Sequence, residues 1–538
     1  MQLSKLWEQR GLDLVAIGLA SFIAYAASLR GYFLSDDFNV VTLLNAERTG
    51  VDWPNVLSDF YTVFRGDLTH SYYRPMITLS GAIDYSLWGT NPFGGHLTNL
   101  FFNMINGILV YGIAAALPPS PIRGFALLAG LLFALHPLHS EPVYWLVGRT
   151  ELIMASFTLL SILLYLVSVN RGRRIWQLLS ISAFVLALGS KETAIAVPFA
   201  LTLHLPCFSP RASERSPYRV VARLAPYYVV LGLYFVVRKA ITGHFIGQYG
   251  ATGLKPFVPS LIPKGIVYLL LHQLRPTTGQ LFPPAADALA GQGIGRLLDP
   301  LAWILVLAIA GLVIVARMDR FAWFCLGLTV VLGLPLLSLL AVLTPPRLHY
   351  LPSAAFCLFL AALLVKASVP VGRVLGSIVF FCFAALLALN SLPWIHAGHI
   401  TREIVQKIER AANTPGVEKV VITGNPDVYF GAELFGDKSW SLQVAAAPPF
   451  AKIPVGVRII NLPRTLCGQS LAGILQGNEG TMVLQWEPHR RSFEELPPDR
   501  FHEICGGPHV IRVSVSYSQR SLDALASFNP NVAVDLIH

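Results

Sequence analysis

The sequence predicts a membrane all-α fold of roughly eleven transmembrane helices, followed by a small C-terminal α/β domain. Three observations carry that prediction. Hydrophobic residues make up 54% of the 538 residues and charged residues only 13%, about half the charge of an ordinary soluble domain. The apolar residues come in blocks of bilayer length, such as Leu97 to Leu117 and Phe321 to Val342. After residue 396 those blocks stop and the chain becomes polar.

Lipid offers the backbone no hydrogen-bond partners, so blocks of this length must close their own bonds as helices. In order, the spans fall near 12–30, 94–117, 121–137, 150–169, 174–189, 191–207, 222–240, 299–317, 321–342, 349–367 and 372–392. The first reads as an uncleaved anchor. Ala24-Tyr25-Ala26 imitates a cleavage site, but Glu8 and Asp13 dilute the basic leader and the apolar run continues to Leu29. Ile262 to Leu274 is apolar but short, so it reads as interfacial or re-entrant.

Residues 1–396 therefore form a polytopic membrane domain and 397–538 a separate soluble unit. Within the latter, Arg402 to Ala412 is helical in pattern. Lys419 to Thr423, Val457 to Asn461, Thr481 to Gln485 and His509 to Ser516 are short, β-branched and bounded by Gly or Pro, as strands are.

The formal net charge is +10. On a soluble chain that would suggest nucleic acid, but here the basic residues sit in short loops, where they set orientation, and no nucleic-acid partner is expected. Lys5 and Arg10, then Arg171, Arg173 and Arg174, then Arg211 to Arg223, Arg317 and Arg320, and Lys366 and Arg373 all fall on one side if the N-terminus is cytoplasmic. The C-terminal unit then lies outside, which suits a bacterial inner membrane with a periplasmic face. Of six cysteines, four lie in or beside apolar spans and read as small core residues. Cys467 and Cys505 could pair if their compartment is oxidising.

The opposite, outer loops hold five polar constellations. Asp36 and Asp37 follow span one directly. Adjacent carboxylates at a membrane surface are costly unless solvated, paired or used, and a used one can serve as a general base; the ordinary reading is a solvated helix cap. Arg74, beside Tyr72 and Tyr73, could fork onto a phosphate or merely anchor the interface. His136, His139 and Glu141, followed by Arg149 and Glu151, resemble no zinc spacing and read as a polar cavity lining. Lys191 and Glu192 are a local ion pair or a phosphate ligand with its partner. Arg347 and Tyr350 repeat the Arg–aromatic theme. No metal site is assigned, although a divalent ion would be compatible.

Together these pieces resemble the multi-spanning C-type (GT-C) glycosyltransferases, above all the membrane portion of the transmembrane-and-tetratricopeptide-repeat O-mannosyltransferases and their bacterial relatives. The resemblance rests on Leu34-Ser35-Asp36-Asp37-Phe38, Tyr73-Arg74-Pro75, Trp88-Gly89, His96-Leu97-Thr98-Asn99, the run from His136 to Glu141, Gly148-Arg149-Thr150-Glu151, Lys191-Glu192, and Arg347 with Tyr350-Leu351-Pro352. They occur in the family's order over residues 12–392. The resemblance implies a glycosyltransferase with a polyprenyl-phosphate sugar as donor, transferring to a hydroxyl of a protein, glycan or lipid acceptor at the outer face with inversion. It implies Asp36 as base with Asp37 as its partner, and Arg74, Lys191 and Arg347 as donor-phosphate ligands. His136, His139, Glu141, Arg149, Glu192 and Tyr350 would line the cavity. No cofactor is required by this scheme. No tetratricopeptide repeats follow the membrane part, so acceptor choice does not carry over. The competing reading, a polytopic transporter or lipid flippase, expects internal repeats and broken helices at mid-membrane, and no repeat is found.

Overall fold

A computed structural model describes residues 2–45, 49–64, 72–117, 124–208, 217–245, 258–276, 294–341, 345–367, 369–423, 428–429, 431–435, 440–462, 481–487 and 492–496. The chain is an integral membrane protein built of helices, with a small sheet near its C-terminus. Each stretch read as a span is helical over most of its length, but the lengths differ. Among the described residues seven helices are long and apolar enough to cross a membrane. The stretches 121–137 and 174–189 are represented by the shorter helices Phe125–Ala134 and Arg174–Leu188. The stretch 191–207 begins as a 3-10 turn, Glu192–Ala196, and becomes helix only from Val197. Pro198 explains the delay, since proline fits the first turn of a helix and not its interior.

Helix Tyr350–Lys366 is the axis of the bundle. The window around it is 94% buried, against 22% for Val220–Thr242 at the lipid-facing edge. A helix apolar on every side belongs inside, and Ala354, Ala355, Ala361 and Ala362 let its neighbours approach. Gly107 and Gly130 do the same for Ile17 of the first helix: a Cβ on either would lie within 2.9 or 2.5 Å of that side chain.

Long-range polar bonds tie the helix ends together. Asn99 Nδ2 donates to the Trp145 carbonyl at 2.9 Å. Asn390 Nδ2 donates to the Pro137 and Pro276 carbonyls at 3.1 and 3.0 Å. Such bonds fix a loop that water cannot satisfy. Ile262–Leu274 is a helix of 13 residues, as its short apolar run suggested.

The boundary read at 396/397 falls inside one unbroken helix, Val369–Ala412, of 44 residues. Its first part packs in the bundle and its last turns carry the sheet. The strands are β1 (Lys419–Thr423), β2 (Val428–Tyr429), β3 (Ala432–Glu433), β4 (Arg458–Leu462), β5 (Thr481–Glu487) and β6 (Ser492–Leu496). The main sheet runs β4-β1-β5-β6, with β4 and β5 parallel to the central β1 and β6 antiparallel to β5. Val421 of β1 sits opposite Ile460 and Val483. The unbroken apolar run Val420-Val421-Ile422, fully buried, is what a strand covered on both faces requires. β2 and β3 form a tight hairpin closed by Gly431 at φ +89°. The strand read at His509 to Ser516 and the pair Cys467–Cys505 lie outside the described residues.

Candidate active site

The first helix tightens into a 3-10 turn at Ala26–Arg30, and the chain then extends to Leu34 before a second 3-10 turn, Ser35–Leu43. That turn is pinned by Asp37. Its carboxylate accepts the Leu34 amide at 2.9 Å, and across more than a hundred residues of sequence it also accepts the amides of Val147 at 2.9 Å and Leu146 at 3.4 Å. The Trp145 indole N–H returns a bond to the Leu34 carbonyl at 3.2 Å. Asp37 is 4% exposed. Burial pushes its carboxyl up to about 8, against the pull of those backbone amides, and the neighbouring Asp36 adds to the rise. Two motifs distant in sequence are thus laced into one wall.

In front of that wall lies a cavity of about 160 Å³. Asp36, Asp37, Asn39, Tyr72, Arg74, Asp84 and Arg149 contribute its polar lining, with Phe33, Val40 and Leu43 among the apolar residues. Arg74 stands on the N-terminal side of helix Pro75–Trp88, where Pro75 starts the helix without needing an amide partner. Its guanidinium makes two bonds to Glu192, 2.7 and 3.3 Å, and lies over the Tyr72 ring at 4.0 Å. Arg149 opens helix Arg149–Arg171. It pairs with Asp84 at 2.6 Å and donates to the Leu146 carbonyl at 3.2 Å. Gly95 makes room for it, since a Cβ there would lie 3.0 Å from its guanidinium.

The remaining sequence-derived residues stand apart from the cavity lining. Lys191 is 2% exposed and bonded to Glu151. Arg347 is joined to Glu141 through both side chain and backbone and covers the Trp145 ring. It braces the wall from behind. His136 and His139 are fully buried. His136 Nδ1 accepts the Leu138 amide at 3.3 Å, and His139 Nε2 meets Ser353 Oγ at 2.8 Å. Tyr350 donates to Asn103 and accepts from Asn106, at 2.8 and 3.0 Å. These side chains hold the bundle's polar interior together. Among the described residues no group of three or more His, Cys, Asp or Glu side chains could hold a metal ion, so no ligand set is assigned.

Sequence reasoning passed over Asp84. It lies in the middle of an apolar helix, held by Thr98 Oγ1 at 2.7 Å and by Arg149. A lone carboxylate inside a membrane-region helix is itself a signal, because it is costly unless paired or used.

The fold and this cavity define a class: a polytopic membrane protein with a cavity lined by both carboxylate and guanidinium side chains. No family model matches the chain. In sequence the chain is similar to Protein O-mannosyl-transferase TMTC1 of Mus musculus, 33% identical over 205 residues, which is 36% of this chain and 21% of that protein. It is also similar to Protein O-mannosyl-transferase Tmtc1 of Drosophila melanogaster, 36% identical over 180 residues, 32% of this chain and 20% of that one. The matched part spans about a fifth of the length of these curated relatives. Among solved structures, ArnT from Cupriavidus metallidurans bound to undecaprenyl phosphate aligns over 89% of this chain and 93% of its own, at 12% identity and a TM-score of 0.45; no residue is carried over from it. The resemblance read from the ordered motifs is therefore matched by named O-mannosyltransferases.

Proposed function

We propose that this protein is a glycosyltransferase that moves a sugar from a polyprenyl-phosphate donor to an acceptor hydroxyl, inverting the anomeric carbon. The observation that carries the reading is one cavity lined by the Asp36–Asp37 pair and by the guanidinium-bearing Arg74 and Arg149. Sequence similarity to O-mannosyltransferases makes mannose the first sugar to test and a protein hydroxyl the first acceptor. The extracytoplasmic face fits the distribution of basic loops.

In this reading the acceptor oxygen attacks the anomeric carbon from the side of Asp36, whose carboxylate takes the hydroxyl proton. The bond from that carbon to the phosphate oxygen breaks, and its electron pair leaves with the lipid phosphate. Arg74 and Arg149 face the growing charge as fixed donors in a water-poor site. Asp37, held by three backbone amides, keeps the turn in place rather than meeting substrate. In this reading Lys191, buried against Glu151, and the partly exposed Arg347, paired with Glu141, are braces rather than the phosphate ligands the family resemblance offered. The polyprenyl tail lies along the bundle, which gives the enzyme its reason to be embedded.

The test uses membranes without endogenous activity, radiolabelled polyprenyl-phosphate sugars with mannose first, and peptide or membrane acceptors. Label leaves the lipid with wild type, and Asp36→Asn slows it by about 10²- to 10⁴-fold, the usual worth of a general base. Wild-type rates in a folded Asp36→Asn protein would remove Asp36 from the mechanism.

A further inference from the structure

Ser35, the residue immediately before the carboxylate pair, is fully buried and has φ +47°. A non-glycine residue takes this left-handed conformation seldom, and keeps it only where its surroundings determine it. Those surroundings come from the C-terminal domain. The Ser35 amide donates to the Leu434 carbonyl at 2.7 Å. Its hydroxyl donates to Glu433 Oε2 at 2.9 Å, a contact spanning 398 positions of sequence. Phe38, just past the pair, stacks on Phe435 with centroids 6.2 Å apart and meets Phe450 edge-on at 4.9 Å. Phe33, which also lines the cavity, packs on Phe450 at 5.1 Å. Farther back, Arg402 donates to the Gly31 carbonyl at 3.2 Å and lies over the Tyr32 ring.

We infer that the C-terminal domain is a working part of the transfer site, in which Glu433 acts through Ser35 as a positioning residue for Asp36. The inference rests on the reading of Asp36 as the base. The hairpin β2–β3 ends in Glu433, and the hydroxyl bond and the Leu434 carbonyl together hold Ser35 in a conformation it would otherwise leave. Released, Ser35 relaxes toward negative φ and rotates the chain that carries Asp36. Neither Ser35 nor Glu433 lines the cavity, so their effect reaches the chemistry only through the direction in which Asp36 points. A separate acceptor-binding module, joined by a loose tether, would have no need to grip this turn.

The experiment uses the purified full chain in lipid nanodiscs, with polyprenyl-phosphate mannose as the probe, and compares wild type, Glu433→Ala, Glu433→Gln, Ser35→Ala and Asp36→Asn. Glu433→Ala and Ser35→Ala lower kcat about 10- to 100-fold with donor KM within about twofold, because displacing a catalytic group by roughly 1 Å costs about that much. Glu433→Gln keeps an oxygen that accepts the hydroxyl and recovers most of the loss. Ser35→Ala removes one oxygen atom and guards against a failure of Glu433→Ala to fold. Unchanged kcat in folded Glu433→Ala and Ser35→Ala, beside an inactive Asp36→Asn, overturns the inference while leaving the base in place. A raised acceptor KM at unchanged kcat overturns it in favour of an acceptor module. Full activity in Asp36→Asn overturns the underlying reading itself.

Discussion

Replacing Asp37 by Asn tests the energetics of the wall on which the site is built. Asp37 is buried, and two forces compete for its proton. Three backbone amides favour the carboxylate, while loss of water favours the neutral acid. Burial prevails, and the group titrates at about 8 rather than the usual 3.8. The sign follows from proton binding. Between these two values the folded chain keeps a proton that the unfolded chain has released, so raising the pH favours unfolding. Each pH unit in that window is worth about 1.4 kcal/mol, giving a ceiling of about 6 kcal/mol across it. Asn has the shape of the neutral acid and no proton to lose. Relative to wild type, the Asp37→Asn protein therefore gains stability steadily from pH 4 to pH 8 and levels off above. Thermal unfolding of both proteins in detergent, followed by tryptophan fluorescence at constant ionic strength, gives the comparison. A stability difference between the two proteins that stays constant from pH 4 to pH 8 would refute the reasoning. It would mean that the backbone amides prevail and hold Asp37 as a carboxylate throughout.

Other perturbations follow from the same geometry. Arg74→Lys keeps the charge but loses the forked pairing with Glu192, so donor KM rises by roughly tenfold or more, as for a lost charge-assisted bond; steady-state kinetics with varied donor reads it. Lys191→Met strands Glu151 in the interior and costs about 3–5 kcal/mol of stability, most of which Lys191→Met with Glu151→Leu recovers. A double variant as unstable as the single one in thermal unfolding would instead give Lys191 a role beyond the pair. Gly95→Ala crowds Arg149 and Leu146 and lowers kcat/KM a few-fold, whereas Gly95→Leu overfills this buried position and lowers both transfer and, by about 1–3 kcal/mol, stability in thermal unfolding.

What the sequence determined by itself was the membrane architecture and the existence of polar constellations in the loops between spans. Bilayer thickness and backbone hydrogen bonding act locally, so a block such as Leu97 to Leu117 declares itself without knowledge of its neighbours. The Asp36–Asp37 pair was legible for a similar reason, because its cost at the end of a span is visible in the residues alone. The sorting of cations was not. Arg74, Arg149, Lys191 and Arg347 look alike along the chain, and each is paired with a carboxylate, Glu192, Asp84, Glu151 and Glu141 in turn, yet only Arg74 and Arg149 line the cavity. Asp84 was passed over because the stretch 75–88 was not read as a helix, and the partners that make its carboxylate tolerable, Arg149 and Thr98, meet it only in the folded chain. Nor did anything near Ser35 or Glu433 announce that they meet. Periodicity and spacing report on forces that act within a turn or two of chain. Which charge answers which, across a hundred residues or four hundred, is decided only when the helices pack, because only then does each buried group find the partner that makes its burial tolerable.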